Sequence, residues 1–148
     1  MIYIGVDPGK SGALAAIDQE GKILKLCTFD EQTYRDSVAE LYNRGEGIRC
    51  LIEKVGAMPK QGVSSTFNFG ANFGWIQGLM FAFFIPYQLV TPRKWKNAFS
   101  LNSEKADSIR TCKELFPDAN LRRTERCKTD HDGMAEALLM AEYARRYF

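Results

Sequence analysis

The amino-terminal stretch MIYIGVDPGKSGALAAID, residues 1–18, decides how the rest of the chain is interpreted. Its β-branched and aromatic residues at positions 2 to 6 predict a strand, and Pro8 and Gly9 predict a turn directly after it. Asp7 would then lie at the carboxyl end of the strand, held by rigid backbone and facing a crevice. The alternative is that Asp7 is a turn-capping residue that bonds the backbone of Gly9.

The same stretch does not fit a nucleotide-binding phosphate loop. Such a loop has four residues between its first glycine and its Gly-Lys-Ser triplet, whereas three residues separate Gly5 from Gly9. The position where the loop requires glycine is occupied by Ile4, whose side chain would crowd the backbone that holds phosphate oxygens. The spacing therefore favours a strand that delivers a carboxylate.

Length and composition indicate one domain over residues 1–148. The chain has a mass of 16.8 kDa and 45% hydrophobic residues, enough for a core of its own. Its longest apolar stretch, roughly residues 75–86, is shorter than the about 20 residues that cross a bilayer. No signal or transit segment precedes the first strand, and the cysteines form no CxxC motif. We therefore expect a cytoplasmic protein with reduced thiols and no membrane partner.

Charge is distributed unevenly along the sequence, although the net charge is only +2. Residues 1–53 carry six basic and nine acidic side chains, and residues 54–148 carry fourteen basic and nine acidic ones. The basic excess is concentrated between Arg93 and Lys128. Such a run is either a solvated surface or the contact surface for a polyanion.

Hydrophobic periodicity and turn residues predict a mixed α/β fold. Predicted strands cover 2–7, 13–18, 23–28, 48–55 and 87–90, and predicted helices cover 30–44, 66–84, a turn from Pro92, 103–116 and 132–147. Ser64 or Ser65 is expected to cap the helix over 66–84. The order βββαβαβα predicts a five-stranded sheet whose first strands are antiparallel and whose later strands are joined through helices. Asp7 and Glu53 would then end side by side on neighbouring strands.

Three glycines recur every four residues on the helix predicted over 66–84: Gly70, Gly74 and Gly78. Each costs a helix about 1 kcal/mol against alanine. Something is therefore expected to approach closely along this stripe, either the sheet or a partner helix.

Two further acids, Asp132 and Glu136, lie in KTDHDGMAEALLMAEY, residues 128–143, where their spacing of four puts them on one helical face. Taken singly, Asp132 is an acid favoured at a helix N-terminus, and Glu136 is a solvent-facing residue. Together with Asp7 and Glu53 they favour a site, because adjacent carboxylates in apolar surroundings need a shared proton or a cation. Asp130 is a further candidate ligand beside this pair.

Oxygen ligands select Mg²⁺ or Mn²⁺ over zinc. Two such ions can activate a water on one side of a phosphodiester and stabilise the leaving oxygen on the other. A zinc site formed by Cys112, Cys127 and His131 lacks a fourth soft ligand and a short Cys pair, so the sequence does not favour it.

The chain resembles the RuvC family of Holliday-junction resolvases, within the RNase H-like superfamily, over nearly its whole length. The matching segments are IGVDPGKSGALA, LIEKV, MPKQGVSSTFNFGANFGWIQGLM, VTPRKWK and HDGMAEALLMA. Small phage-encoded members look especially similar. The acids of many bacterial members are three apart at the last motif, whereas Asp132 and Glu136 are four apart.

The resemblance implies a homodimeric, Mg²⁺-dependent endonuclease that nicks paired strands of a four-way DNA junction in a bacterial or phage-infected cell, with no nucleotide cofactor. It implies that Asp7 and Glu53 are the strand acids, that Asp132 and Glu136 are the acids of the final helix, and that these four hold the metal. It also implies a basic residue that assists catalysis, for which Lys105, Lys94 and Lys96 are the candidates.

A nucleic-acid partner gives the basic region a role in neutralising phosphates. The candidate phosphate contacts are Lys60, Arg93, Lys94, Lys96, Lys105, Arg122, Arg123, Arg126 and Lys128. Phe67 and Phe69 are candidates to stack on exposed bases, with burial in the core as the alternative. Trp95 is expected to anchor its turn by packing.

Other functions that the sequence leaves open are a related nuclease acting on forks, flaps or hybrids and a junction-binding protein without catalysis. An actin-like ATPase also starts with a strand that ends in an acid and glycines, but it needs two such domains. The glycine stripe, with Trp75, Phe81 and Phe84, is the expected dimer interface.

Overall fold

The computed structural model describes residues 1–9, 11–56, 62–102 and 104–148. Its strands are β1 (Ile2–Asp7), β2 (Ala13–Ile17), β3 (Ile23–Thr28), β4 (Ile48–Glu53) and β5 (Tyr87–Val90). Its helices are α1 (Glu31–Asn43), α2 (Val63–Ala82), α3 (Pro92–Ala98), α4 (Lys105–Leu115) and α5 (Asp132–Tyr147). The predicted α/β class and the order βββαβαβα are confirmed.

The five strands form one mixed sheet in the order β3-β2-β1-β4-β5. β1 pairs antiparallel with β2 and parallel with β4, and β4 pairs parallel with β5. The register aligns Val6 with Ile52 and Glu53 with Val90. The carboxyl ends of the three parallel strands therefore lie at one edge of the sheet.

Two hydrophobic layers cover the sheet, one on each face. Alternate residues of β1, namely Ile2, Ile4 and Val6, pack with the buried sides of α1 and α2. The opposite face packs against α5, whose residues Ala135 to Ala141 are buried except for Glu136.

α5 lies unusually close to β1 because Gly5 has no side chain. A Cβ on Gly5 would come within 2.2 Å of the Ala137 carbonyl oxygen and 2.5 Å of the Ala141 nitrogen. The helix backbone therefore lies directly over the middle of the strand.

Two boundaries of α2 differ from the prediction. The helix begins at Val63 with Gly62 as N-cap, so neither Ser64 nor Ser65 caps it. The Gly62 carbonyl accepts hydrogen bonds from the nitrogen and Oγ1 of Thr66, which adds a turn before the predicted start. The helix ends at Ala82 because Phe84 takes a φ of 54°, which no helix can contain.

The remaining comparisons concern smaller features. The predicted start of the fourth helix at Ser103 lies outside the described residues, and that helix is described from Lys105. None of the helices in the described ranges combines the length and hydrophobicity needed to span a bilayer. All four cysteines are free.

Candidate active site

Side-chain alternation along β1 and β4 aims two acids at α5. Gly5 and Asp7 lie on the face of β1 opposite to Ile4 and Val6, and Glu53 lies on the face of β4 opposite to Ile52. Because β1 and β4 are parallel and in register, Asp7 and Glu53 end next to each other. Their predicted adjacency is confirmed.

The amino-terminal turn of α5 packs against this edge of the sheet. A Cβ on Gly133 would come within 3.1 Å of Asp7 Oδ2 and 2.6 Å of the Ser11 carbonyl oxygen. The first turn of the helix therefore touches both the Asp7 side chain and the loop that follows β1. Asp132 and Glu136 lie on this turn and the next, so the four predicted acids are grouped at one edge of the sheet.

Burial shifts the proton equilibria of the two strand acids. Desolvation raises the pKa of Asp7 from 3.8 to about 6, against a lowering by the hydrogen bond from the Gly9 nitrogen at 3.1 Å. Desolvation likewise raises the pKa of Glu53 from 4.5 to about 7. The negative charges of Glu136 and Asp132 raise the pKa of Asp7 further, and those of Asp7 and Glu136 raise the pKa of Glu53. The cluster therefore favours uptake of positive charge.

Two lysines supply part of that positive charge. Lys96 Nζ lies 2.7 Å from Glu136 Oε1, and Lys105 Nζ lies 2.7 Å from Asp132 Oδ2. Partial burial would raise the pKa of Asp132, but the hydrogen bond and charge of Lys105 outweigh it and lower that pKa. The Lys105 side chain is 78% exposed, so its ammonium group is accessible to a substrate.

Two neutral donors also bind carboxylate oxygens of the site, one on Glu53 and one on the Glu136 oxygen that Lys96 binds. Trp95 Nε1 donates to Glu53 Oε1 at 2.9 Å, and Ser108 Oγ donates to Glu136 Oε1 at 3.1 Å. Both donors are fully buried. Glu53 and Glu136 are therefore held in place by side chains that approach from α3 and α4.

The donor set suits a hard divalent cation. It consists of carboxylate oxygens from four acids, and two of these acids, Asp7 and Glu53, have raised pKa values. In the described part of the chain, no three His, Cys, Asp or Glu side chains are arranged so that they could hold a metal ion as they stand. Lys96 and Lys105 each occupy one oxygen instead, Glu136 Oε1 and Asp132 Oδ2, so an ion would bind the other oxygens of these acids or displace the exposed Lys105.

Asp130 and His131 have other partners. Asp130 forms an ion pair with Lys113 of α4. His131 is the N-cap of α5, where its Nδ1 accepts a hydrogen bond from the Met134 nitrogen at 3.2 Å. Asp132 and Glu136 are therefore the acids of α5 that act on the strand acids, because the negative charge of each raises the pKa of Asp7.

Solved structures of RuvC are similar to this protein. The structure titled as Thermus thermophilus RuvC in complex with a Holliday junction substrate matches with a TM-score of 0.66 and 18% identity, covering 99% of this chain and 96% of that one. A second Thermus thermophilus RuvC structure matches with a TM-score of 0.64 and 19% identity over the same shares. The protein has the RuvC fold. No protein-family model and no curated protein sequence matches the chain.

The predicted phosphate contacts of this RuvC-fold protein lie mostly on its surface. Exposed side chains are those of Arg93, Lys94, Lys105, Arg122, Arg123, Arg126 and Lys128, whereas Lys96 is half-buried. Apart from Lys96 and Lys105, none of these pairs with an acid in the described ranges. Lys60 lies outside the described residues.

The two phenylalanines at the start of α2 differ in exposure. Phe67 is 75% exposed, and Phe69 is half-buried. Burial in the core, the alternative for both, therefore does not apply to Phe67. A role in base stacking stays a prediction.

Trp95 and Ser108 are site residues that the sequence did not reveal. The packing role predicted for Trp95 is confirmed by its complete burial, but its bond to Glu53 was not expected. A buried indole N–H requires an acceptor, which is the one signal in the sequence. Nothing in the sequence identifies Glu53 as that acceptor, because the two residues are 42 positions apart.

Proposed function

We propose that the protein is a divalent-metal-dependent endodeoxyribonuclease that cuts branched DNA, with four-way junctions as its preferred substrate. One observation carries the proposal: Asp7 and Glu53 end side by side at one sheet edge, and the start of α5, packed on Asp7 at Gly133, brings Asp132 and Glu136 to them. The fold shared with RuvC supports the same activity. We also propose that the protein is most similar to small phage-encoded RuvC-like members and that it is cytoplasmic.

The residues that would hold the cation are Asp7, Glu53, Asp132 and Glu136. The cation would be Mg²⁺, for which Mn²⁺ can substitute. When bound, two such ions supply an activated water and charge for the leaving oxygen. The rigid ends of β1 and β4 fix two of the acids, and α5 fixes the other two. The buried Gly133 lets the first turn of α5 pack directly on Asp7, which brings Asp132 close to the strand acids.

Lys96 and Lys105 act as the cationic residues of the site. In the absence of an ion they lie on Glu136 and Asp132. Lys105 is exposed and can turn to a substrate phosphate, where its ammonium would stabilise negative charge as the phosphodiester breaks. Lys96 is held between α3 and α5, which suits it to fixing Glu136. Lys94 is exposed and has no contact with the acids among the described residues.

The exposed arginines of the loop between α4 and α5 supply the DNA-binding charge. Arg122, Arg123, Arg126 and Lys128 have no acidic partner in the described ranges, so each is available to a phosphate. The loop leads directly into α5 and thus into Asp132. Phosphates bound along it would be guided toward the acids.

A second copy of the chain completes the proposal, because a junction has two strands to cut. The face of α2 that carries Gly70, Gly74 and Gly78 points to solvent: apart from the adjacent residues and the backbone of α2, no atom of the described chain lies within 4 Å of a Cβ added at any of the three. Phe67 and Phe81, 75% and 79% exposed, flank the glycines. No charged residue occurs between Gly62 and Pro92. Such a face suits close packing against a partner helix.

The pattern on α2 is symmetric about Gly74. Gly70 and Gly78 lie four residues on either side of it, and Phe67 and Phe81 lie seven residues on either side. An antiparallel copy centred on Gly74 would therefore match glycine to glycine and phenylalanine to phenylalanine, as a two-fold interface requires. The proposed homodimer would then have its two-fold axis at Gly74.

Cleavage of synthetic DNA tests the proposed function. A labelled four-way junction, a Y-fork, a flap and an RNA–DNA hybrid are incubated with the wild type, Asp7→Asn or Glu53→Gln, in Mg²⁺, Ca²⁺ or chelator. We expect paired nicks in the junction with Mg²⁺ alone, and a loss of at least a hundredfold in each variant. Faster cleavage of another substrate would identify a related nuclease. Normal junction binding without Mg²⁺-dependent nicking would identify a non-catalytic binding protein.

A further inference from the structure

Parallel pairing of β4 and β5 places α3 beside Glu53. Val90 is the register partner of Glu53, and the Lys54 nitrogen donates to the Val90 carbonyl at 2.7 Å. Pro92 starts α3 directly after this strand, as its fixed φ favours. One turn later the chain passes back over the carboxyl end of β4, so Trp95 lies beside Glu53.

The indole N–H of the buried Trp95 side chain forms a hydrogen bond to Glu53. The side chain is fully buried and packs in the core layer that contains Leu51, Val90 and Leu101. Its Nε1 donates to Glu53 Oε1 at 2.9 Å. Among the described residues no other side chain donates to Glu53, so the second carboxylate oxygen is available to another ligand.

A carboxylate that ends a strand can rotate about its side-chain bonds unless something fixes it. A bond from a rigid, buried donor to one oxygen sets the plane of the carboxylate and directs the other oxygen. Donors of this kind behind metal ligands change metal affinity or activity by about 10- to 100-fold when they are removed. A tryptophan suits the task because its N–H is fixed to a ring that packing holds still.

We propose that Trp95 is a positioning residue of the site: its indole N–H holds Glu53 Oε1 so that the other Glu53 oxygen is directed to a cation shared with Asp7. This inference rests on the proposed function, because it assumes that Glu53 is a metal ligand. The neighbouring Lys96 holds Glu136 from the same helix at 2.7 Å. α3 thereby sets the orientation of one strand acid and one helix acid at once.

The alternative is that Trp95 only fills space in the core. The variant Trp95→Phe separates the two roles, because it keeps an aromatic ring and removes the N–H. A matched control is Trp75→Phe, the same exchange at the other tryptophan of the chain, which packs against Phe29 on the opposite face of the sheet. A space-filling role would change stability in both variants and ion affinity in neither.

Mg²⁺ binding without DNA is measured by isothermal titration calorimetry on the wild type and both variants, beside the unfolding temperature of the metal-free proteins. We expect a Mg²⁺ affinity about tenfold weaker in Trp95→Phe, the wild-type affinity in Trp75→Phe, and junction cleavage by Trp95→Phe that recovers as Mg²⁺ is raised. Equal affinities in the wild type and Trp95→Phe would overturn the inference. A wild type that binds no Mg²⁺ would overturn the proposed function and the inference with it.

A second measurement uses the unaltered side chain, in case Trp95→Phe does not fold. The two indole N–H signals in the ¹H–¹⁵N spectrum of the wild type are assigned with Trp75→Phe and followed during addition of Mg²⁺. We expect the Trp95 signal to shift as the site fills and the Trp75 signal to stay. A Trp95 signal that does not move at saturating Mg²⁺ would overturn the inference even without the variant.

Discussion

Asp7 is held by three separate backbone segments. β1 carries it, the Gly9 nitrogen bonds its Oδ1, and Gly133 of α5 lies against its Oδ2. An acid in this position has little freedom to leave the cluster. α5 can lie this close to Asp7 only because residue 133 has no side chain.

Gly133→Ala tests this packing. The added Cβ would lie 2.6 Å from the Ser11 carbonyl oxygen, so α5 or the loop after β1 must shift. We expect a loss of about 1–3 kcal/mol in the free energy of unfolding, as for other overpacked sites, together with weaker junction cleavage. Gly56→Ala is the matched control, because a Cβ there meets no neighbouring atom of the described residues within 4 Å. Equal stability of the two variants, measured by urea unfolding, would contradict the packing.

The raised pKa values of Asp7 and Glu53 predict how the metal-free protein responds to pH. Burial raises these pKa values from 3.8 and 4.5 to about 6 and about 7. Between about pH 4 and pH 7 the native state therefore binds more protons than the unfolded state, so the free energy of unfolding falls as the pH rises. Each unit of pKa shift corresponds to about 1.4 kcal/mol.

Urea unfolding in chelator from pH 5 to pH 7.5 checks this response. We expect the wild type to lose stability across the range, and Asp7→Asn or Glu53→Gln to lose less, because each removes one of the titrating groups. Mg²⁺ should restore stability most at the upper end of the range. Identical pH profiles for the wild type and both variants would show that the acids are not buried as described.

At the scale of the element, α2 shows what a helical pattern can and cannot predict. Its existence and the spacing of its glycines follow from the sequence. Its start does not, because Gly62 and the backbone bonds of Thr66 replace the serine cap that propensity favours. The direction in which the glycines face also cannot be predicted from the sequence, since a glycine stripe packs equally well on a sheet or on another helix.

A cysteine at residue 74 tests the proposed interface. In an antiparallel pair centred on Gly74, only residues at the two-fold axis meet their own copies. Gly74→Cys should therefore form an intermolecular disulfide under mild oxidation, seen as a dimer on non-reducing gels. The wild type, with its native cysteines, and Gln32→Cys, on the exposed side of α1, serve as controls. Crosslinking no greater than in the controls would exclude this two-fold interface.

α3 shows a different limit of sequence reasoning. The turn begun by Pro92 and the burial of Trp95 could be predicted from residue types. The bond from Trp95 to Glu53 could not, because it depends on β5 lying beside β4 and on how far α3 turns back. Short helices after strands are therefore places where site residues are missed in a single sequence.

At the scale of the whole molecule, the order of strands and helices was enough to predict the sheet and the meeting of Asp7 with Glu53. Those acids follow from topology, since the ends of neighbouring parallel strands must coincide. The partners of Asp130 and Asp132 do not follow from topology. Lys113 pairs with Asp130 and Lys105 with Asp132, and both lysines lie on α4, whose placement depends on tertiary packing.

The basic loop before α5 predicts a strong effect of salt. Each phosphate contact contributes about 0.9 to the slope of log affinity against log salt. The double variant Arg122→Gln/Arg123→Gln should therefore bind a four-way junction with a slope shallower by up to about 2, measured in chelator so that the DNA stays intact.

A matched double variant removes the same charge elsewhere. Arg35 and Arg44 are exposed and pair with Asp36 and Glu46 at 2.8 and 3.0 Å. Arg35→Gln/Arg44→Gln should leave the slope within error of the wild type. A slope equally reduced in both double variants would mean that net charge, and not the loop, determines binding.

The central claim is that acids from β1, β4 and α5 together bind divalent ions. Paramagnetic broadening by Mn²⁺ in the ¹H–¹⁵N spectrum tests it most directly, because the effect falls off steeply with distance. At substoichiometric Mn²⁺ we expect the amide signals of Gly9, Glu53 and Gly133 to disappear first in the wild type and to persist in Asp7→Asn. Broadening that begins elsewhere, or that is unchanged by Asp7→Asn, would contradict the account.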